Sequence, residues 1–170
     1  MKPVEQAFEH EWTWNRPSVG RRHWELRSGD DLVATLDQVS LLGSRMAAAT
    51  AAGARELRHE GWLRGRIRLT DAEGATIAVF QPSWFGRGRL ELAGGGALEW
   101  ARADFWGRRW AFRDANGLDQ VRFVRRPSWF RSTTTVEVSD AGRQRPELAD
   151  LTLVGFYLLL MMQRQAHAAH

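Results

Sequence analysis

LADLTLVGFYLLLMMQRQ (Leu148 to Gln165) is the stretch that decides the fold. From Leu151 to Met162 only Thr152 and Gly155 interrupt the apolar side chains, and Asp150 stands just before them. The run is about a dozen residues, where a bilayer span needs roughly twenty, so it is too short to cross a membrane. Leu, Met and Phe outnumber β-branched residues, Pro146 and Glu147 suit a helix start and Arg164 suits a helix end. The segment reads as a helix over about 147–165. It is apolar on every side, which predicts burial all round, with Leu153, Phe156, Tyr157, Leu160 and Met161 among the buried residues.

A helix of this kind needs a wrapper, and the preceding sequence supplies one. From Glu11 to Val138 the hydrophobic period is close to two, and turn signals recur about every eight to twelve residues. In WLRGRIRL, Leu63, Ile67 and Leu69 share one face while Arg64, Arg66 and Arg68 share the other. Trp110 and Phe112 oppose Arg109 and Arg113, and Trp24 and Leu26 oppose His23, Glu25 and Arg27. SGDD (Ser28 to Asp31), AAG (Ala51 to Gly53), DAEG (Asp71 to Gly74), GGG (Gly94 to Gly96) and DANG (Asp114 to Gly117) mark hairpin turns. The expectation is a mainly β fold, a closed antiparallel barrel of about twelve strands enclosing the C-terminal helix, with strands over about 11–138. A lumen of that size exceeds what side chains fill, and a helix about 10 Å across is a suitable plug. Small residues in RMAAATAAGA (Arg45 to Ala54) would let part of the wall approach it.

LTDAEGATIAVFQPSWF (Leu69 to Phe85) echoes FRDANGLDQVRFVRRPSWF (Phe112 to Phe130). The PSWF repeats read first as structural, with Trp84, Phe85, Trp129 and Phe130 closing the barrel; the alternative is exposed insertion into a membrane interface or a partner.

The chain has 170 residues, 44% of them hydrophobic, and a net charge of +4 from 24 basic and 20 acidic residues, which suits one domain spanning 1–170. It has no cysteine, which excludes disulfides, thiolate metal sites and a cysteine nucleophile. MKPVEQAFEHEW has no apolar run behind its lysine, so a cytoplasmic protein is expected. No H-x-x-x-H, G-x-S-x-G or phosphate-loop pattern occurs. His10, His23, His59, His167 and His170 are scattered and read as surface residues. Asp30 with Asp31, and Asp114 with Asp119, read as turn and hairpin residues. No enzyme, metal or cofactor is expected.

A long meander followed by a hydrophobic helix resembles the tubby C-terminal-like superfamily, which includes the plant LURP-one-related proteins and the phospholipid scramblases. The likeness covers roughly Trp24 to Gln165. ELRSGDDLVATL (Glu25 to Leu36), the D-A-x-G hairpins and the terminal helix carry it. The resemblance implies a barrel closed around the helix and no enzymatic activity. Tubby proteins bind phosphoinositides through basic barrel residues, but no headgroup-binding position matches here and none is carried over. SDAGRQRPELAD (Ser139 to Asp150) is as basic as it is acidic, and cysteine is absent, so the scramblases' calcium site and lipid anchors are not carried over either.

Two function classes remain. One is a binding module in which Arg64, Arg66, Arg68, Arg87, Arg89, Arg122, Arg125, Arg126 and Arg131 hold an anionic surface such as phospholipid headgroups. The other is a structural or protein-interaction scaffold without a small ligand, using some of the nine tryptophans, most of which are expected in the core. Nucleic acid is not expected, because no recognised module appears.

Overall fold

The computed structural model describes residues 1–40, 45–62, 64–127 and 132–169. Twelve strands follow one another: β1 (Trp12–Asn15), β2 (His23–Ser28), β3 (Asp31–Gln38), β4 (Met46–Thr50), β5 (Gly53–Glu60), β6 (Arg66–Asp71), β7 (Thr76–Pro82), β8 (Gly88–Leu92), β9 (Ala97–Arg102), β10 (Arg109–Arg113), β11 (Asp119–Arg126) and β12 (Thr133–Val138). Each pairs antiparallel with its sequence neighbours, and β1 pairs with β12 to close a barrel. A short helix α1 (Asp140–Arg143) leads into the long helix α2 (Leu148–Ala168).

Alternation drives the strands, as in β6, where Ile67 and Leu69 are buried while Arg66 is exposed. The turns fall where the sequence marks them. One strand is shorter than its pattern suggests: WLRGRIRL is not one strand, because Trp62, Arg64 and Gly65 lie outside any strand and β6 begins only at Arg66. Leu63 lies outside the described residues.

The buried faces meet in one core. Trp100 lies among Trp110, Phe112 and Phe123, with ring centroids 5.6, 4.8 and 5.6 Å away. Helix α2 packs on β3, β10 and β11, and every residue from Leu151 to Leu160 is buried. Ten residues make nearly three turns, so no side of that segment faces water. Phe156 stacks on Trp14 at 4.4 Å with the planes 2° apart, and Phe123 presses against Gly155. At the helix start Asp150 accepts from Arg55 on β5 at 2.8 Å; burial pushes the Asp150 carboxyl up against the pull of Arg55.

Leu153, Phe156, Tyr157 and Leu160 are buried as expected, but Met161 is only half-buried, because α2 is leaving the core there. Burial raises the pKa of the Tyr157 hydroxyl to about 12. The helix also runs past Gln165 to Ala168, since the Ala-rich continuation favours helix. No helix among the described residues is long and apolar enough to cross a membrane. Four tryptophans are buried, namely Trp12, Trp14, Trp100 and Trp110, fewer than expected; Trp24 is half-buried, Trp62, Trp84 and Trp106 are exposed, and Trp129 lies outside the described residues.

Candidate functional site

In an antiparallel meander successive connections alternate between the two ends of the barrel. Among the described residues, one end therefore collects 16–22, 39–40, 45, 61–62, 64–65, 83–87, 103–108, 127 and 132; the other collects 29–30, 51–52, 72–75, 93–96 and 114–118. The N-terminal segment and α1 also pack at this second end. Ser28 donates to Ala7 O at 2.7 Å, Lys2 pairs with Asp31 at 2.7 Å, and the Arg143 guanidinium lies 4.6 Å from the Phe8 ring.

The first end is different in kind. Trp62, Trp84, Phe85, Phe105 and Trp106 stand there with relative exposures between 65% and 87%, joined by Val19 and Val39. Among the described residues the other end exposes only Leu118 and Met1 of the large apolar side chains. Charge divides the same way. Among the described residues the aromatic end's loops carry Arg16, Arg21, Arg22, Arg64, Arg87 and Arg108, none of them in an ion pair, together with Arg45, which pairs with Glu56 at 2.9 Å, and one acid, Asp104. The second end's turns carry Asp30, Glu73 and Asp114 and no basic residue.

Local chemistry shapes these loops. Asp104 Oδ1 accepts from the backbone N–H groups of Arg108 at 3.0 Å and Arg109 at 3.1 Å, which turns the chain so that Phe105 and Trp106 protrude, edge to face at 5.5 Å. Arg16 holds its own loop, donating to Arg21 O at 2.9 Å and Val19 O at 2.7 Å. Phe85 and Arg64 both lie in the left-handed region, at φ 59° and 61°, and the Arg64 guanidinium sits 3.6 Å over the Trp84 ring. The first PSWF repeat therefore does not close the barrel. Its Trp84 and Phe85 are exposed, while Trp129 and Phe130 of the second lie outside the described residues.

The nine arginines expected to form one anion-binding face are split. On the barrel wall Arg66 and Arg68 pair with Glu60 at 3.1 and 2.9 Å, and Arg122 pairs with Asp119 at 2.8 Å. Arg126 reaches Glu11 at 3.5 Å, and Arg89 lies 3.9 Å from Glu91. Hydrogen bonds from Arg68 and Arg66 hold the Glu60 carboxyl below its ordinary value, so these wall charges are largely spent on each other. Arg64, Arg87 and Arg125 have no ion-pair partner among the described residues; Arg131 lies outside them.

Two pockets open at the aromatic end. One, of 260 Å³, is lined by Trp106, Gly107, Arg108, Arg125, Arg126, Pro127 and Ser132. Register puts Arg125 opposite Thr134, and Thr134 opposite the buried Trp14, so Arg125 is on the inward face of β11 at the barrel mouth. Burial lowers the pKa of Arg125, and among the described residues no carboxylate offsets it. The other pocket, of 190 Å³, lies between α2, the β5–β7 wall and the 83–87 loop. Its floor is Ile67, Phe80, Leu158, Met161 and Met162, and its polar lining includes His59, Arg64 and Arg87.

Sequence reading missed Trp62, Phe105, Trp106, Arg108 and the arginines of 16–22 as partners of one surface. Collecting every second turn of the meander would have found them. His23 and His59 are half-buried rather than on the surface, and no cluster of metal-ligating side chains occurs among the described residues. Comparison of the chain with protein-family models, with curated proteins and with solved structures finds no significant match.

Proposed function

We propose that this protein is a non-enzymatic docking module that meets anionic phospholipid surfaces end-on. Its tryptophan and phenylalanine tips enter the interfacial layer, and its loop arginines face the headgroup phosphates. The observation that carries this reading is the segregation itself: among the described residues, the exposed aromatics and most arginines without an ion pair share one end, while acidic or small turns occupy the other, where Arg143 lies over Phe8 and Arg145 donates to Gln120. Arg125, charged and inward-facing without a counter-ion, gives a headgroup phosphate a place to sit beside Arg108.

Magnitudes favour joint action. Arg21, Arg22, Arg64, Arg87 and Arg108 at about 1 kcal/mol each near a charged surface give about 5 kcal/mol, which alone corresponds to binding between millimolar and micromolar. The aromatic tips must supply the rest. The tubby-like resemblance points to the same ligand class, but the residues named here come from the geometry.

Sedimentation with phosphatidylcholine vesicles, with and without phosphatidylserine, tests the reading. The protein is expected to pellet with the anionic vesicles at low salt and to be released at high salt. Phe105→Ala/Trp106→Ala should abolish pelleting, whereas Arg66→Ala/Arg89→Ala on the wall should not. Failure to pellet at low salt, or equal loss in the wall variant, overturns it.

A further inference from the structure

The pocket beside α2 combines two chemistries that rarely meet by accident. Its floor is apolar, and Met161 and Met162 leave it half-open, with flexible thioether side chains that adapt to irregular shapes. No Asp or Glu lines it, while Arg64 and Arg87, without ion-pair partners among the described residues, do. Arg64 is held in place by the Trp84 ring, so its charge is positioned before any ligand arrives. A purely apolar guest would leave the guanidiniums unused, and a purely polar anion would leave the floor wet.

We propose that this pocket binds a free single-chain anionic amphiphile, a fatty-acid-like carboxylate. The alkyl chain lies against Ile67, Phe80, Leu158, Met161 and Met162, and the carboxylate lies against Arg64 and Arg87. Charge complementarity selects the head, and the depth of apolar floor selects the tail. The site shares Arg64 and Arg87 with the proposed membrane face but needs no bilayer, so a titration without vesicles tests it separately from membrane docking.

Calorimetric titration of the full-length protein with decanoate, as monomer and without vesicles, tests it, with 1-decanol as the uncharged comparator. Saturable one-to-one binding is expected, decanoate binding more tightly than decanol and raising Tm. Arg64→Ala/Arg87→Ala, a surface change that leaves the core intact, should weaken decanoate about tenfold and leave decanol unchanged. Met162→Trp should fill the pocket and weaken both. Absence of saturable binding overturns the proposal, as does equal affinity for acid and alcohol with no effect of the arginine variant. Cross-linking of Met161 or Met162 to a photoreactive phospholipid chain, without decanoate binding, would assign the pocket to a bilayer lipid and overturn it too.

Discussion

Arg64 and Phe85 hold the left-handed backbone that glycine adopts freely, at a cost of about 1–2 kcal/mol each. Phe85→Gly is therefore expected to raise the unfolding free energy by about 1 kcal/mol while reducing vesicle binding, measured by denaturant melts alongside sedimentation. Opposite movement of the two readouts would mark stability given up for an exposed ring. His23 has its own consequence. It lies 2.6 Å from Asp37 and 3.3 Å from Glu25; burial opposes its charge, but the hydrogen bonds to the two carboxylates outweigh that and raise its pKa above 6.5. The stabilisation is fully present below the ordinary histidine value and is lost as pH rises through the raised one. Tm should fall as pH rises from the ordinary histidine value through the raised one, and His23→Gln should flatten that part of the profile. Neither feature was legible in the sequence. No turn rule places Phe or Arg at positive φ, and Asp37 becomes a neighbour of His23 only through the β2–β3 register.

Among the elements, α2 was the most legible, because a segment apolar on all sides has few homes outside a core. Its close fit was not. A Cβ at Gly155 would run into the Phe123 ring. Gly→Ala ordinarily favours a helix by about 1 kcal/mol, but forcing a methyl into a packed core costs about 1–3 kcal/mol. Gly155→Ala is thus expected to lower stability, and Phe123→Leu in the same chain should recover part of the loss; thermal melts of the two variants decide it. The strands were legible where a turn required glycine at positive φ, as at Gly74 and Gly117. The break before Arg66 was hidden because odd and even parity continue unbroken in the sequence from Leu63 through Ile67 to Leu69, so a period of two runs straight across it. The end of α2 was misjudged for a related reason: Arg164 suits a last turn, yet it instead donates to Gln38 at 2.5 Å while the helix continues.

For the molecule as a whole, strand number and closure followed from local patterns, whereas the candidate site did not, since its residues come from separate loops that only topology assembles. We read α2 as the plug of the barrel, and truncation after Asp150 tests this. Each large buried side chain removed forfeits about 1.5–3 kcal/mol, so the shortened chain should lose cooperative melting and near-UV dichroism and bind hydrophobic dye. An unchanged melt would end that reading. The uneven placement of charge along the barrel axis has a kinetic consequence. Unpaired arginines at one end and acidic turns at the other give the molecule an electric dipole along that axis, and a negatively charged surface exerts a torque on it within a Debye length. The protein would be rotated aromatic end first before any ring touches lipid. Rising ionic strength should then slow arrival in stopped-flow measurements and, by screening the arginine–phosphate contacts of the docked state, shorten the dwell time as well.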